Sequence, residues 1–505
     1  MAAIGAMATL CAASGTAAQT DTAPGGITLQ AALEATLSYG TQVRLGEERV
    51  RMERGALRTA RAPFDAILTT SIATERENSV SPVAGGGLAS ALTSTVSYSV
   101  GLPKRLRSGV VLTPRAGLTR VDVADVPGAR TSRASVDLGV LVPLLRDRGG
   151  AATNAADRAA EQEYRASILE ARHAAAASVL GAAVAYWNER AAEERLQVYR
   201  SSEERARQLV DDTHELVAAD ERPAADLDQL RANLALKRAA RATGEQAVIE
   251  ARQQLALAMG VYDAGTAALP RAVTNFPEIT TDGEAHAAPG REAIAAALGR
   301  RSDLAALSAR SSGAKAQLAG ARGGLKPRLD LLVDLGYAGL AADGGIDGAI
   351  SSFYRHVPGL NASVQLSYEL PLARLASSGA AMQRASAYDQ ARTREAELVR
   401  QISSGVLVAS EALRHSRLAM QASREAAALS RHAVENEKRR FQLGMSTLFD
   451  VILAEDALTN ARLGEIAGRH DYAVAVARLR YESGSLLSFD GKGVSVSAES
   501  VTTPP

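Results

Sequence analysis

The chain has 505 residues, a formal net charge of +1 and only 4% aromatic residues. Acidic and basic side chains are interspersed, so no strongly charged surface favours a nucleic acid partner. The scarcity of aromatic residues argues against thick globular cores, whereas thin alanine-rich helical walls tolerate it.

Residues 1–18 have the composition of a secretory signal peptide. The segment is small and apolar and ends in Thr16-Ala17-Ala18, which suits a cleavage site, although the usual basic start is missing. The alternative is an alanine-rich end without a targeting role. The only cysteine, Cys11, lies inside this segment, so a mature exported chain would carry no thiol.

The first half of the chain begins with a predicted helix over 27–61, which Pro63 ends. Apolar and polar residues then alternate with a period of two, which predicts strands over 64–72, 92–102, 110–118 and 135–142. Apolar residues on one side and polar residues on the other are typical of a membrane barrel wall, although an ordinary half-buried sheet fits each segment equally well. The part from 92 to 118 is either an extra hairpin of the sheet or a flap outside it.

Two long helices are predicted next. No proline interrupts the helical pattern from 150 to about 217, so this helix reaches roughly 100 Å, several times the thickness of a membrane core. A break at 219–223 precedes a return helix that ends at Gly260, and an irregular connector with three prolines covers 263–290. No uncharged apolar run of about 18 residues is present, which argues against a transmembrane helix but not against membrane strands.

The second half repeats the first. Six residues of one strand return unchanged 228 positions later: Ala134, Ser135, Val136, Leu138, Pro143 and Leu144 match Ala362, Ser363, Val364, Leu366, Pro371 and Leu372. A helix over 291–324, a strand over 329–337, a long helix over 378–442 and a return helix to Gly484 complete the copy, and a flexible tail is predicted over 486–505. A duplication explains this pattern, with structural repeats over 27–262 and 291–485.

The strand count predicts an assembly of several copies. Four to six strands cannot close a barrel that holds water, because such a barrel needs at least about eight. Open sheet edges are not tolerated in lipid. The predicted fold class is therefore an α+β membrane protein in which copies of the chain share a β-barrel that continues into long helices.

The chain resembles the TolC-like outer-membrane efflux protein family. The resemblance covers 27–484 and rests on the duplication and on four short motifs in order: Val142-Pro143-Leu144-Leu145-Arg146, Arg301-Ser302-Asp303-Leu304, Arg440-Phe441-Gln442-Leu443-Gly444 and Asp450-Val451. It implies a homotrimer whose four strands per subunit form a twelve-stranded barrel in the outer membrane, continued by a periplasmic tunnel of helices. It also implies two partners, a periplasmic adaptor protein and an inner-membrane pump.

The resemblance also implies roles for the turn between the last two long helices. Leu443, Gly444, Met445 and Ser446 match the family's adaptor-contact turn; the alternative is a plain helix–helix turn that uses glycine for its permissive backbone. Asp450 matches an acidic residue that narrows the tunnel mouth, and Asp226, its counterpart 224 positions earlier, is a second candidate. Both aspartates equally suit a helix first turn, where the macrodipole favours a carboxylate. Some relatives carry a second acid where this chain has Leu453.

The sequence contains no catalytic constellation. The seven histidines are scattered without metal-ligand spacing, and no nucleophile turn of the Gly-x-Ser-x-Gly form is present. We therefore expect no enzyme activity, no cofactor and no metal. The functional hypothesis is a passive outer-membrane exit duct for substrates that a pump delivers through an adaptor, and the alternative is an exported coiled-coil scaffold without channel activity.

Overall fold

The computed structural model describes residues 26–83, 87–124, 130–220, 223–261, 270–279, 291–342, 346–353, 360–490 and 493–505. The predicted signal peptide, with Cys11, lies outside these residues, as does most of the predicted connector. The chain divides into a helical unit (Met1–Val50, Ser167–Ala306 and Glu395–Pro505) and a strand unit (Arg51–Ala166 and Leu307–Arg394). Each unit takes segments from both sequence repeats.

Long helices account for most of the described residues. In chain order the helices are α1 (Leu29–Tyr39), α2 (Thr41–Arg61), α3 (Ala155–Ala218), α4 (Ala224–Met259), α5 (Arg291–Arg300), α6 (Ser302–Gly323), α7 (Ile346–Ser352), α8 (Leu375–Gln442), α9 (Leu448–Glu482) and α10 (Glu499–Thr502). The predicted pairs of outgoing and return helices are α3 with α4 and α8 with α9. Both return helices end as predicted, at Gly260 and next to Gly484, and both glycines have left-handed backbone angles.

The two opening helices are each interrupted, and the prediction of unbroken helices over 27–61 and 291–324 is wrong. Gly40 leaves the helical conformation at a ψ of 127°. The end of α4 packs tightly there, since a Cβ on Gly260 would lie 2.3 Å from the carbonyl oxygen of Tyr39. In the second repeat the break is at Arg301, whose side chain donates hydrogen bonds to the carboxylates of Asp303 and Glu482. Tertiary contacts therefore override local helix preference at both places.

One antiparallel sheet contains the long strands. Its strands are β1 (Thr69–Val83), β2 (Gly87–Gly101), β3 (Lys104–Arg105), β4 (Val111–Val123), β5 (Arg130–Pro143), β6 (Arg328–Ala342) and β7 (Leu360–Glu369). The order is β1-β2-β4-β5-β6-β7, with the short β3 paired beside β4. The hairpin that the sequence left open is thus part of the sheet, as β2 and β4. The first strand begins later than predicted because 62–64 form a short 3-10 turn at Pro63.

The predicted flexible tail is wrong for the described residues, because they pack on the helical unit. Leu486 and Leu487 are buried, and two short strands follow, β8 (Ser488–Asp490) and β9 (Gly493–Ser495). Val501 of α10 has no exposed surface and belongs to the main hydrophobic cluster of this unit. The polar composition of the tail concealed these few apolar anchors.

The core of the helical unit surrounds the middle of α3. Tyr186 and Trp187 are fully buried there, and the Trp187 ring stacks on Phe276 with 5.4 Å between centroids. By length and composition alone, α3 contains one stretch apolar enough to cross a membrane, which the sequence analysis did not expect. Val179 and Ala183 of α3 are also fully buried, whereas only 28% of the apolar stretch as a whole is buried.

Candidate functional site

The register of the sheet places apolar side chains of all six long strands on one face. We call this set the apolar belt, and it comprises Ile72, Val96, Tyr98, Val100, Leu112, Leu118, Val136, Leu138, Val140, Val142, Leu329, Leu331, Val333, Leu335, Tyr337, Leu360, Val364, Leu366 and Tyr368. Many of them are uncovered, and Val364 is 71% exposed. An exposed apolar band with tyrosines near its margins is the surface that a membrane strand presents to lipid.

The opposite face of the same strands is mainly polar. Its members include Ser71, Thr93, Thr95, Ser97, Ser99, Thr113, Arg115, Thr119, Ser135, Asp137, Asp330, Asp334, Asn361, Ser363, Gln365 and Ser367. Arg115 and Asp334 form an ion pair at 3.3 Å across β5. Gly139 lies between them, and a Cβ there would be 2.7 Å from the Asp334 carboxylate. The sheet therefore has the two-sided character of a wall between lipid and water.

The turn between α8 and α9 is a Schellman motif. Gly444 has a φ of +69°, its N–H donates to the Phe441 carbonyl (3.0 Å), and the Met445 N–H donates to the Arg440 carbonyl (2.8 Å). The left-handed conformation explains glycine at this position. The turn leaves Leu443 74% exposed and Met445 67% exposed.

The first turn of α9 is closed by a capping box. The Asp450 N–H donates to the Thr447 hydroxyl oxygen, while the Thr447 N–H (2.9 Å) and hydroxyl (2.6 Å) donate to the Asp450 carboxylate. Hydrogen bonds from the Thr447 side chain and backbone hold the pKa of Asp450 below its usual value. The capping role that the sequence left open for Asp450 thus has a structural basis, and its role at a tunnel mouth stays a prediction.

Sequence reasoning did not identify the full apolar surface at this turn. Phe449 and Leu453, four residues apart on one face of α9, are 59% and 58% exposed, whereas Val451 between them is buried. With Leu443 and Met445 they form four exposed apolar side chains within eleven positions, which we call the turn patch. The spacing of four was the available signal, but sequence alone does not tell which face of α9 is covered.

The corresponding turn of the first repeat is built differently. Asp220 follows α3 with a φ of +59°, and 221–222 lie outside the described residues. Pro223 precedes α4 and offers no side-chain cap. The Asp226 N–H donates to the Pro223 carbonyl at 3.1 Å. In the part of the chain that the structure describes, no side chain bonds to the Asp226 carboxylate.

Ion pairs join the helices that flank the two turns. The Glu455 carboxylate of α9 accepts from Arg205 of α3 (2.6 Å) and from Lys438 of α8 (2.7 Å), and Asp456 pairs with Lys237 of α4. Burial would raise the pKa of Glu455, but the hydrogen bonds from Lys438 and Arg205 lower it overall. Within the described ranges no group of three or more His, Cys, Asp or Glu side chains is placed to hold a metal ion.

Comparisons with known proteins match this architecture. Residues 293–485 match the family model described as outer membrane efflux protein. No curated protein sequence matches the chain. Among solved structures, the chain is similar to a membrane protein from Pseudomonas aeruginosa (TM-score 0.66, 19% identity, 90% of each chain covered). It is also similar to the Campylobacter jejuni CmeC outer membrane channel (0.66, 14%, 92% of this chain and 86% of that one) and to the open state of the Neisseria gonorrhoeae MtrE outer membrane channel (0.62, 18%, 90% and 88%).

Proposed function

We propose that the chain, of which residues 293–485 match the outer membrane efflux protein family, assembles as three copies that form a passive exit duct. It is an outer-membrane efflux channel with a TolC-like fold and not an enzyme. In the proposal, an inner-membrane pump supplies the energy and selects the substrate. A periplasmic adaptor connects that pump to the helices of the channel.

The observation that carries the duct is the two-sided sheet. One face presents the apolar belt and the other presents serine, threonine and charged side chains, of which Arg115 and Asp334 form a pair. A wall with these faces suits lipid on one side and water on the other. A soluble scaffold would not need an apolar belt on the outside of its sheet, so the alternative of a coiled-coil scaffold leaves this feature unexplained.

The adaptor contact is proposed at the turn patch. Leu443 and Met445 lie beside a rigid Schellman turn, and Phe449 and Leu453 extend the same apolar surface onto α9. Exposed apolar clusters of this kind are typical of protein interaction sites. A partner that places apolar side chains over this patch would bury it without unfolding the turn.

The gate is proposed at the acidic residues near the turns. Asp226 is the better candidate, because the Asp450 carboxylate already accepts hydrogen bonds from Thr447. A carboxylate facing the water path attracts cations, so we expect Asp226→Asn to change single-channel conductance in planar bilayers. Unchanged conductance for both Asp226→Ala and Asp450→Ala would remove the two residues from the gate.

The oligomer tests the duct directly. We expect the full chain to fractionate with the outer membrane, to require detergent for extraction and to have the mass of three copies. Insertion of the purified trimer into planar bilayers should produce discrete ion conductance. A monomer that is soluble without detergent would overturn the proposal in favour of the scaffold.

A further inference from the structure

The sheet of one protomer ends in two open edges. In the strand order, β1 pairs only with β2 and β7 pairs only with β6 among the described strands. Every residue of β7 is exposed. Unpaired backbone N–H and C=O groups are very costly in lipid, and six strands are too few to close a barrel that holds water. Both edges therefore need partner strands.

The hairpin of β1 and β2 belongs to the wall rather than to a flap outside it. Its fifteen residue pairs run without interruption from Thr69 opposite Gly101 to Val83 opposite Gly87. β2 in turn pairs with β4 over nine positions, from Thr93 to Gly101. The hairpin is thus joined to the rest of the sheet by regular backbone pairing.

Both faces of the sheet continue onto this hairpin. On the apolar face, Ile72 lies opposite Tyr98, which lies opposite Leu118 of β4. On the polar face, the hydroxyls of Ser71 and Ser99 are 2.8 Å apart. Apolar and polar residues keep their sides across β1 next to Ile72, whereas the same face carries Arg76 and Asn78 farther along the strand. The half of β1 that begins at Thr69 therefore suits a position in the barrel wall.

Apolar side chains are also uncovered beside each edge of the strand unit. Leu372 and Leu375, which follow β7, are 93% and 78% exposed. Ile67 and Leu68, which precede β1, are 58% and 67% exposed. A ring of identical subunits buries two different flanks of each copy against each other, so these two flanks suit a head-to-tail contact between copies.

From these observations we propose that β1 of one copy pairs with β7 of the next, so that the trimer closes an eighteen-stranded barrel. The inference rests on the proposed trimer. Strands alternate in direction along the order β1-β2-β4-β5-β6-β7, so β1 and β7 run in opposite directions and their contact continues the antiparallel sheet. Six strands per subunit differ from the four per subunit that the resemblance implies, because the sheet includes the additional hairpin.

The number of strands in the barrel determines the width of the membrane pore. Barrel diameter grows roughly linearly with strand number, so eighteen strands give a barrel about half again as wide as twelve. Barrels of 16–18 strands leave an open aqueous channel. The membrane part of this duct would then be wide, and any narrowing would lie in its helical part.

Disulfide trapping distinguishes the two edges that could meet β7. Opposite residues of an antiparallel pair have Cα separations near 4.5–5.5 Å, which suit a disulfide. The full chain with Cys11→Ala would carry pairs of cysteines on the polar face, one on β7 and one on another strand. The β7 positions are Asn361, Ser363, Gln365 and Ser367; the β1 positions are Ser71 and Glu75; the matched controls on β4 are Thr113 and Thr119.

We expect at least one pair between β1 and β7 to yield covalent dimers and trimers on non-reducing denaturing gels, with most of the monomer band lost and restored by reductant. Pairs between β4 and β7 should leave the monomer band unchanged. Trapping through β4 instead of β1, or no β1 product in material that is trimeric by mass, would overturn the strand count while leaving the duct intact. Only a monomeric mass would overturn both.

Discussion

The two helix–helix turns share a left-handed residue but differ in side-chain chemistry. Positions 219 and 443 correspond at a constant offset of 224, and each turn places the next residue in the left-handed region, at +59° for Asp220 and +69° for Gly444. The second turn uses glycine there and closes α9 with the Thr447 cap. The first uses aspartate and begins α4 with Pro223, which has no side-chain cap.

The left-handed residue is common to both copies of the duplication, whereas the other side chains of each turn changed afterwards. The αL residue after each outgoing helix is shared, because a left-handed residue is a common way to end a helix. Leu443 and Met445 belong to the second turn alone, since the sequence has Ala219 and Glu221 at the corresponding positions of the first. Partner binding is therefore expected to be concentrated on one of the two turns.

The largest expected effect comes from charging the turn patch. Burying each large apolar side chain contributes about 1.5–3 kcal/mol. Replacing Leu443 and Met445 together by Asp should therefore weaken adaptor binding by at least about 100-fold. In the host, this variant should not restore export to a strain that lacks the gene. Export is scored as growth on the compounds to which the deletion makes the strain sensitive.

The matched control for this variant is Ala219→Asp in the first turn, which should restore export. The amount of channel in the outer membrane and its trimeric mass should be unchanged for both variants. Full export by the double variant, or equal loss from Ala219→Asp, would contradict a contact that is confined to the second turn.

The next effect tests the left-handed residue of each turn. Gly444→Ala should destabilise the end of α8 by about 1 kcal/mol, because alanine disfavours positive φ while its Cβ meets no neighbour. Asp220→Gly should instead stabilise the end of α3 slightly, because glycine adopts a positive φ without the steric cost of a Cβ. Hydrogen exchange of the amides near each turn measures both. Equal loss of protection from the two changes would show that the turns do not share this backbone requirement.

The two return helices differ in their N-terminal caps, and single substitutions can remove one cap or add the other. Thr447→Ala removes the capping hydroxyl and should cost the start of α9 about 1 kcal/mol. Pro223→Thr offers the start of α4 the hydroxyl that it lacks, and amide protection there should rise. Protection that does not change at α9 in Thr447→Ala would mean that the cap contributes nothing to this turn.

Much of the fold followed from local pattern. Alternation with a period of two predicted the strands, and uninterrupted helical pattern predicted α3 and α8 to within a few residues. The breaks at Gly40 and Arg301 did not follow, since the bond from Arg301 to Glu482 joins residues 181 positions apart. The place of β2 in the sheet also depends on long-range pairing, which alternation alone does not specify.

The candidate site was predictable to a smaller extent. The spacing of Thr447 and Asp450 is that of a capping box, so the local role of Asp450 could be predicted from the sequence. The exposure of Phe449 and Leu453 could not, because it depends on which face of α9 packs on other helices. The charge pair of Arg205 with Glu455 likewise joins two repeats and has no local signal.

The smallest effect concerns the protonation of Asp450. Its folded-state pKa lies below the ordinary value of 3.8 because the Thr447 side chain and backbone donate to the carboxylate. This contribution to stability is therefore complete above about pH 3.8 and is lost as the pH falls through the depressed folded-state pKa. Amide protection in the first turn of α9 should decrease over that range in the parent chain and decrease less in Asp450→Asn. The start of α4 serves as the internal control, since no comparable box closes it, and an equal decrease at both helix starts would assign the acid sensitivity to the whole helical unit instead of to this cap.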